Sequence, residues 1–360
     1  MSFITAIGTA VPLHVFEQSV ISTFMERIAH QEEQRRKIKT VFRASAIKTR
    51  YSVIGDYGKQ SNFTFFSNTK NLDPFPDTAR RMEEYKRHAA SLSAQAIQNC
   101  CSTGSFDFKS ITHLITVSCT GMYAPGLDVD LIYKLGLRPS VNRMCINFMG
   151  CFAAINAIKA ADAFCRADSQ SKVLIVCTEL CSLHFQKDFT DDNILANALF
   201  ADGSAALMVE SNPSGLGLSI EGFYSDIARN GADHMAWTIG NLGFEMKLST
   251  YVPEVLGQGI SSLLEGLSIN TGIQPDRINH FAIHPGGKKI LDSVATSLNI
   301  SRERLNASYE VLRNYGNMSS PSILFVLKKM MEDDNVNETI MAMAFGPGLT
   351  MESMLLKAVS

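Results

Sequence analysis

The sequence predicts a layered α/β fold built from two related halves, and three observations support this prediction. Short apolar runs at residues 114–117, 173–176 and 205–209 are typical of strands buried on both faces. Segments with the apolar spacing of helices alternate with these runs and cover residues 89–99, 153–166, 255–267, 288–298 and 321–331. An internal repeat relates the two halves. Together these observations indicate layered sheets covered by helices.

The repeat consists of three segments that recur later in the chain at a nearly constant offset. It pairs residues 111–117 with 278–284, Gly150-Cys151 with Gly316-Asn317, and residues 172–176 with 338–342. Such a repeat predicts a duplicated strand–helix–strand unit with pseudo-twofold symmetry. In that arrangement the corresponding helix starts meet near the axis, so we expect Cys151 and Asn317 to lie close together.

Turn-forming residues and irregular segments suggest where the halves divide. Residues 210–215 are rich in residues that break regular structure, which predicts an N-terminal half at 1–212 and a C-terminal half at 213–360. Residues 3–10 have the pattern of a first strand. Residues 60–77 are polar, aromatic and irregular, and we interpret them as a surface excursion.

Length, charge and cysteine content limit the classes of function. The chain has 360 residues, 46% of them hydrophobic, which is enough for a large core in one compact unit. A net charge of -2 without long runs of one sign argues against nucleic acid or an anionic membrane as partner. No apolar run is long enough to cross a bilayer. The eight cysteines show no disulfide framework and the N-terminus lacks a signal-peptide pattern, so we expect a reducing, cytoplasmic setting.

Cys151 is the strongest candidate for a reactive residue. It follows Gly150 in residues 147–154 (NFMGCFAA), where a glycine turn delivers a cysteine to the start of a helical pattern. Helix N-termini stabilise negative charge and can lower a cysteine pKa from about 8.5 to as little as ~3.5 when other cationic help is present. The alternative is a small apolar residue packed in the core.

Two further polar residues lie at the ends of predicted elements. His284 ends an apolar, strand-like run and precedes a Pro-Gly-Gly turn, and Asn317 lies beside Gly316 just before an apolar helical stretch. A cysteine, a histidine and an amide provide a nucleophile, a base or ion-pair partner, and a donor for an oxyanion. These three residues therefore predict covalent acyl chemistry.

One group of residues has a spacing that also occurs in metal sites. Cys177, Cys181 and His184 lie within eight residues of one another. A second pair of ligands is missing from the sequence, and the group follows a buried strand pattern. We therefore expect no metal site.

Five motifs, in order along the chain, resemble the chalcone synthase family, the type III polyketide synthases. They are GCFA at 150–153, ALFADG at 198–203, HPGG at 284–287, YGNMSS at 315–320 and FGPGLT at 345–350. The resemblance runs over nearly the whole chain. It implies a thiolase-like αβαβα fold with two pseudo-symmetric halves and a homodimer. It also implies decarboxylative condensation of malonyl-CoA units onto an acyl-CoA starter, with coenzyme A thioesters as substrates and no cofactor.

The resemblance also implies a role for each candidate catalytic residue. Cys151 would take the starter acyl group from coenzyme A and hold the growing chain. His284 would keep Cys151 as a thiolate and, together with Asn317, donate to the thioester oxygen on which charge develops when malonyl-CoA loses carbon dioxide.

The same resemblance assigns a larger group of residues to the substrate cavity. Phe200 resembles a gatekeeping aromatic residue, and Met246 stands where plant enzymes carry a second gatekeeping phenylalanine. Trp237 replaces a glycine that lines the plant cavity, and Ala124 replaces a methionine that reaches toward the partner subunit. The remaining members are Cys119, Cys181 and His184, which stand at positions that are commonly threonine, and Ser319, Phe345, Gly346 and Pro347. His184 could alter polyketide folding or satisfy a buried backbone group.

These departures from the plant pattern suggest the product and the coenzyme A contacts. A cavity narrowed by Trp237 and opened near Ala124 suits a small or aliphatic starter, with a pyrone or a resorcinol- or phloroglucinol-type ring as product instead of chalcone. Lys37 keeps a family-like position for coenzyme A binding. Two other family positions carry Thr40 and Ala44, and we expect Lys39, Arg43 or Lys48 to supply the missing charge from neighbouring positions.

Two alternatives stay open at the level of sequence. A condensing enzyme resembling ketoacyl-ACP synthase III shares the fold and the Cys/His/Asn set but takes its extender from an acyl carrier protein; HPGG at 284–287 and FGPG at 345–348 argue against it. A non-catalytic interaction protein with the fold of an enzyme is the other, and the intact Cys151, His284 and Asn317 argue against that.

Overall fold

Both halves of the protein contain strands and helices. The computed structural model describes residues 1–104, 106–212, 217–228, 231–232, 234–332 and 338–359. The strands are β1 Phe3–Ala10, β2 His14–Glu17, β3 Thr49–Ser52, β4 His113–Ser118, β5 Asn142–Asn147, β6 Lys172–Leu180, β7 Asp202–Glu210, β8 Gly217–Ile227, β9 Met235–Gly240, β10 Gly243–Leu248, β11 His280–Ile283, β12 Thr339–Gly346 and β13 Thr350–Val359. The helices are α1 Gln18–Ile28, α2 Glu32–Ala44, α3 Thr78–Gly104, α4 Leu127–Leu135, α5 Ala153–Ala167, α6 Asp191–Leu199, α7 Val252–Thr271, α8 Lys288–Ser297, α9 Asn306–Tyr315 and α10 Pro321–Met331.

Nine strands of the described chain form one mixed sheet in the order β11-β12-β13-β8-β1-β7-β6-β4-β5. The strands β1, β7, β6, β4 and β5 come from the N-terminal half, and the other four come from the C-terminal half. The two groups are joined only between β1 and β8, where Phe3 pairs with Ser219 and Ile4 with Leu218. The sheet therefore consists of two halves connected by one short stretch of antiparallel pairing.

Alternating strand residues show that the two halves of the sheet lie in separate layers. In β6, Leu174 faces a core that includes α3, while Val173 and Ile175 face a second core that includes α5 and α10. In β12, Ile340 faces that same second core, while Met341 faces a third core that includes α7 and α8. Since α5 and α10 lie between the two halves of the sheet, the order of layers is α, β, α, β, α. The predicted αβαβα fold is confirmed.

The predicted elements agree well with the observed ones. Each of the five predicted helices lies within or overlaps an observed helix, and the predicted strands at residues 3–10, 114–117, 173–176 and 205–209 lie within β1, β4, β6 and β7. The breaker-rich stretch at 210–215 follows the end of β7, and its residues 213–215 lie outside the described residues. None of the described helices combines the length and the apolar content that a bilayer crossing requires.

The interpretation of residues 60–77 as a surface excursion is wrong in one respect. The segment is irregular, but its aromatic side chains Phe63, Phe65, Phe66 and Phe75 are buried. The buried carboxylate of Asp56 accepts hydrogen bonds from the backbone N–H groups of residues 64–66 at 2.8–3.0 Å. This contact turns the segment back onto the body of the protein, and the aromatic rings pack there.

Candidate active site

The loop before α5 presents Cys151 to the interior. Gly150 has φ +84°, and a Cβ atom there would lie 2.5 Å from Cδ of Pro347, so the turn requires glycine. Phe148 also adopts a left-handed conformation, with φ +62°. Non-glycine residues in this region store backbone strain and cluster at functional sites. The sequence therefore forms a strained turn that delivers the cysteine to the start of the central helix.

The thiol of Cys151 is buried, and burial dominates its protonation. Loss of solvent raises the pKa of Cys151 to about 12, while hydrogen bonds from Ser319 and Asn317 oppose this change. The expectation that the helix start lowers this pKa is therefore wrong for the thiol considered alone, because desolvation of the thiolate outweighs the helix dipole. Ionisation of Cys151 therefore needs a proton acceptor close to the buried thiol.

His284 lies directly after β11 and lines the same cavity as Cys151. Its backbone N–H donates to the carbonyl of Met343 at 2.8 Å, which places the residue at the end of the parallel β11–β12 pair. Burial lowers the pKa of His284 to about 3, so the free imidazole is neutral. Neither ring nitrogen has a hydrogen-bond partner among the described residues. The side chain therefore has one N–H and one lone pair available to a substrate or to the thiol.

Asn317 is held by its backbone and by its side chain. Its N–H donates to the carbonyl of Leu199 at 2.9 Å, and its carbonyl accepts from the N–H of Ala201 at 2.9 Å. Its Oδ1 accepts from the N–H of Ser319 at 2.8 Å, and its Nδ2 donates to the carbonyl of Gly286 at 3.3 Å. These bonds fix the amide orientation and leave the second N–H of Nδ2 directed to the thiol of Cys151.

The three predicted catalytic residues line one cavity, part of which is open to solvent. The sequence repeat correctly predicted that Cys151 and Asn317 come together. Of the predicted substrate-binding residues, nine line this cavity: Cys119, Cys181, His184, Phe200, Trp237, Met246, Ser319, Phe345 and Pro347. The lining also includes residues that sequence reasoning missed, and Arg50, Phe244 and Gln186 are among them.

Two predicted cavity residues lie elsewhere. Ala124 is exposed in the loop before α4 and does not line the cavity of the single chain. The opening expected near Ala124 is therefore absent from the part of the protein that the structure describes. Gly346 lies behind the wall, where a Cβ atom would be 2.6 Å from the ring of Phe152 and 3.4 Å from the backbone N of Cys151. It supports the nucleophile loop from behind.

The three predicted coenzyme A contacts lie on the surface outside the cavity lining. The ammonium of Lys37, in α2, forms an ion pair with Asp191 at the start of α6. Arg43 and Lys48 are exposed, and no ion pair involves either of them among the described residues. The charge of Lys37 is therefore partly neutralised, whereas Arg43 and Lys48 remain available to an anion.

His184 serves as a clamp inside the cavity wall. Its Nδ1 accepts from the backbone N–H of Phe244 at 2.9 Å, and its Nε2 donates to the carbonyl of Thr120 at 2.7 Å. The imidazole stacks on the ring of Phe244 with 4.2 Å between centroids. Burial lowers the pKa of His184 to about 3. Of the two roles weighed from the sequence, satisfaction of buried backbone groups is the one that the contacts support, and no ring nitrogen is left for a metal ion.

The hairpin of β9 and β10 forms the adjoining wall. Trp237 and Met246 are directly opposite each other in this hairpin, so both cavity residues are carried by one small element. The indole Nε1 of Trp237 donates to the carbonyl of Cys119 at 2.7 Å. Trp237 also packs edge-on against His184 and Phe244. The indole position is therefore fixed from three sides.

Glu179 is a buried carboxylate beneath the cavity that sequence reasoning missed. It accepts hydrogen bonds from the N–H of Cys119 at 3.0 Å, from Thr120 Oγ1 at 2.7 Å and from Ser320 Oγ at 2.7 Å. Burial raises its pKa. A charged residue inside the apolar strand pattern of β6 was the available signal. Glu179 ties the loop after β4 to the loop that carries Asn317.

Comparison with known proteins places both halves of the chain in one family. The family models of the chalcone and stilbene synthases match it in two parts, the N-terminal domain at residues 1–213 and the C-terminal domain at residues 223–360. Probable polyketide synthase 1 of Dictyostelium discoideum is 32% identical over 99% of this chain, which spans only 11% of that relative's length. The alpha-pyrone synthesis polyketide synthase-like Pks18 of Mycobacterium tuberculosis is 32% identical over 99% of this chain and 91% of its own. A 3,5-dihydroxyphenylacetyl-CoA synthase of Amycolatopsis orientalis is 30% identical over 98% and 92%, respectively.

Solved structures show the same relationship. The C-terminal type III polyketide synthase domain of Steely1 from Dictyostelium superposes with a TM-score of 0.93 at 30% identity, covering 100% of this chain and 99% of that domain. The 1,3,6,8-tetrahydroxynaphthalene synthase of Streptomyces coelicolor superposes with a TM-score of 0.89 at 26% identity, covering 100% of both chains.

Proposed function

The chain belongs to the chalcone and stilbene synthase family, the type III polyketide synthases, and on this premise we propose how its own residues perform the reaction. The observation that carries the proposal is the convergence of Cys151, His284 and Asn317 on one cavity. In this proposal acyl-CoA and malonyl-CoA are the substrates, and the reaction uses no resident cofactor. The protein is an acyltransferase that builds its product on the thiol of Cys151.

Starter loading begins with a proton transfer inside the cavity. The lone pair of the neutral His284 imidazole accepts the proton of Cys151, and the sulfur attacks the thioester carbonyl of the starter. The carbon–sulfur bond to coenzyme A breaks, and the leaving thiolate takes the proton from His284. A separate charge on either side chain is opposed by burial, but a thiolate and an imidazolium formed together attract each other.

Chain extension requires stabilisation of an enolate. When malonyl-CoA loses carbon dioxide, the electrons of the broken carbon–carbon bond move onto the thioester oxygen. The N–H of neutral His284 and the N–H of Asn317 that is not bonded to Gly286 are the donors for that oxygen. Donors that are already oriented stabilise developing charge without reorganisation, and removal of one typically costs ~2.7–4 kcal/mol of barrier. The enolate carbon then attacks the carbonyl carbon of the acyl group on Cys151, and the carbon–sulfur bond to Cys151 breaks. The chain is thereby transferred to the coenzyme A thioester, and the Cys151 thiolate is released.

The cavity wall supports a small ring as product. Trp237, His184 and Phe244 occupy space on one side, and their hydrogen bonds and ring contacts hold them in place. The names of the relatives include alpha-pyrone synthesis and the synthesis of dihydroxyphenyl and tetrahydroxynaphthalene compounds. We propose that the product is a pyrone or a resorcinol- or phloroglucinol-type ring made from a small or aliphatic starter.

Two further properties belong to the same proposal. The strand β5 is at one edge of the large sheet, and its Met144 side chain and the neighbouring Met122 and Met149 are exposed apolar residues. An unpaired edge with exposed apolar side chains suits a second copy of the chain, and we propose a homodimer through this edge. The free thiol that the mechanism needs suits the reducing cytoplasm.

The test is mass spectrometry of the products made by the purified enzyme. Malonyl-CoA is supplied with acetyl, medium-chain, long-chain and aromatic acyl-CoA starters, and Cys151→Ala is the control. We expect pyrones or resorcinols that disappear in the control. If no free coenzyme A thioester yields a product while malonyl groups on an acyl carrier protein do, the enzyme is a carrier-dependent condensing enzyme and the proposal is wrong.

A further inference from the structure

Arg50 is a buried cation beside the cavity, in the small two-stranded sheet formed by β2 and β3. It lies in β3, its side chain lines the cavity, and only 4% of the residue is exposed. Its Nη1 donates to the carbonyls of Asn197 at 2.8 Å and Phe200 at 2.6 Å. These carbonyls belong to the last turn of α6 and to the residue that follows it. One guanidinium nitrogen therefore caps the helix whose end carries the proposed gate, Phe200.

The same arginine packs against the loop that carries Asn317. A Cβ atom on Gly316 would lie 3.0 Å from both Cγ and Cδ of Arg50, so the arginine stem occupies the space beside this glycine. Gly316 has φ +73°, which favours glycine for a second reason. The next residue of β3, Tyr51, stacks on Tyr315 with 5.7 Å between ring centroids. The strand thus contacts the two residues that immediately precede Asn317.

The backbone of Asn317 links the two segments that Arg50 contacts. The N–H and carbonyl of Asn317 bond to Leu199 and Ala201, the neighbours of Phe200 on either side. Arg50 therefore contacts one partner of this short bridge, Phe200, through a hydrogen bond, and packs against Gly316, the residue before the other partner, Asn317. A displacement of the Arg50 side chain would therefore shift both Phe200 and the side-chain amide of Asn317.

Arg50 is costly to bury in this way. Burial lowers the pKa of Arg50 to about 10, and its Nε and Nη2 have no hydrogen-bond partner among the described residues. Buried donors without partners oppose folding, and buried charges are weak contributors to stability. Stability alone is a poor explanation for a guanidinium at this place.

We propose that Arg50 is a positioning residue that holds the amide of Asn317 and the ring of Phe200 in register for decarboxylation of malonyl-CoA. The inference rests on the proposed role of Asn317 as an oxyanion donor. Arg50 does not touch the reacting atoms. It acts through the Phe200 carbonyl and the Gly316 backbone.

The experiment isolates decarboxylation from condensation. In a Cys151→Ala background, conversion of malonyl-CoA to acetyl-CoA is followed by liquid chromatography and mass spectrometry, and rates are normalised to the folded fraction from circular dichroism. We expect Arg50→Met to lower kcat roughly tenfold to a hundredfold, below the ~100- to 1000-fold loss typical of deleting an oxyanion donor. The KM for malonyl-CoA should change less than about threefold, and Arg50→Lys should recover most of the rate because an ammonium can still donate to the carbonyls.

Arg81 provides a matched control. It is also buried, has a pKa lowered to about 10, and donates to backbone carbonyls, but those belong to Pro76, Leu183 and Phe185. Arg81→Met should lower the unfolding temperature and leave decarboxylation per folded molecule within about twofold. Equal losses of decarboxylation rate in Arg50→Met and Arg81→Met would overturn the inference. Removal of any buried guanidinium would then be enough to explain the effect.

A second variant covers the case in which Arg50→Met does not fold. In Gly316→Ala the added methyl group would press against Cγ and Cδ of Arg50. We expect the same tenfold or larger loss of decarboxylation rate. A Gly316→Ala protein with the parental rate overturns the inference. If the Cys151→Ala parent itself forms no acetyl-CoA, the proposed enolate chemistry fails and this inference fails with it. If the Cys151→Ala parent forms acetyl-CoA and Arg50→Met does not lower that rate, the inference about Arg50 is wrong while the proposed enolate chemistry stands.

Discussion

The indole N–H of Trp237 donates to the backbone carbonyl of Cys119 across 2.7 Å. This bond joins the β9–β10 hairpin of the C-terminal half to the loop after β4 in the N-terminal half. The largest side chain in the cavity wall is therefore anchored, and it cannot rotate aside for a longer substrate without losing a buried hydrogen bond. Cavity size in this protein depends on a contact between the two halves.

Replacement of Trp237 by glycine should enlarge the range of starters and lengthen the product. The change removes an indole that occupies the cavity, and we expect acceptance of longer acyl-CoA starters or at least one further malonyl extension. Trp237→Phe keeps most of the bulk and loses only the bond to Cys119, so its products should resemble those of the wild type. Product masses across the starter panel measure both. An unchanged product range for Trp237→Gly would disprove the cavity argument.

Removal of the His284 imidazole should make Cys151 unreactive near neutral pH. Burial raises the pKa of the thiol to about 12, so formation of the thiolate near neutral pH needs a base beside it. We expect alkylation of Cys151 by iodoacetamide at pH 7 to slow at least tenfold in His284→Ala and to recover as the pH rises toward 10. Peptide mass spectrometry follows the modification, with Cys151→Ala as background. Identical pH profiles for wild type and His284→Ala would show that His284 is not the proton acceptor.

His184 should make the protein less stable in mild acid. Its pKa is about 3 in the folded protein against 6.5 ordinarily, so the folded state binds fewer protons than the unfolded state below pH 6.5. Stability is therefore full above pH 6.5 and is lost as the pH falls toward 3. Between pH 6.5 and 5 the loss is about 2 kcal/mol for such a group, and His284 contributes in the same direction.

The variant His184→Gln tests this linkage. Glutamine keeps one donor and one acceptor but does not titrate, so the decline in urea unfolding free energy from pH 6.5 to 5 should shrink by about 2 kcal/mol. Equal slopes for the variant and the wild type would contradict the assignment of a buried neutral imidazole.

Neutralisation of the exposed cations Arg43 and Lys48 should weaken binding of coenzyme A thioesters. We expect Arg43→Gln and Lys48→Gln each to raise the KM for malonyl-CoA about threefold at low salt, since exposed charge contacts contribute up to ~1 kcal/mol. Lys37→Gln should have a smaller effect because Asp191 already pairs with its ammonium. Arg277→Gln is the control: it is exposed at the opposite end of β11 from His284. Unaltered KM values for Arg43→Gln and Lys48→Gln would remove them from the binding site.

A charge on the free edge of the sheet should prevent dimer formation. Met144 lies in β5 and is 37% exposed in the single chain. Met144→Lys would place an ammonium in the proposed apolar contact, and we expect a monomer by light scattering where the wild type is a dimer. Ile269→Lys alters an apolar residue in α7 that is 75% exposed, and it should remain a dimer. A wild-type monomer, or a dimeric Met144→Lys protein, would rule out this interface.

The layered fold, the duplication and the three candidate catalytic residues could all be predicted from the amino-acid sequence. Periodicity showed the strands and helices because one-sided or two-sided burial leaves a local pattern of apolar residues. The repeat brought Cys151 and Asn317 together because equal units packed about an axis place equal positions side by side.

The contacts that support those residues could not be predicted from the sequence. The burial of the aromatic residues in 60–77, the clamp made by His184, the carboxylate of Glu179 and the cap made by Arg50 all depend on contacts between distant segments. The same holds for the pKa of Cys151, which the helix start suggested would fall and which burial raises. Desolvation and hydrogen bonding depend on what surrounds a side chain in three dimensions, and one-dimensional patterns carry no record of those neighbours.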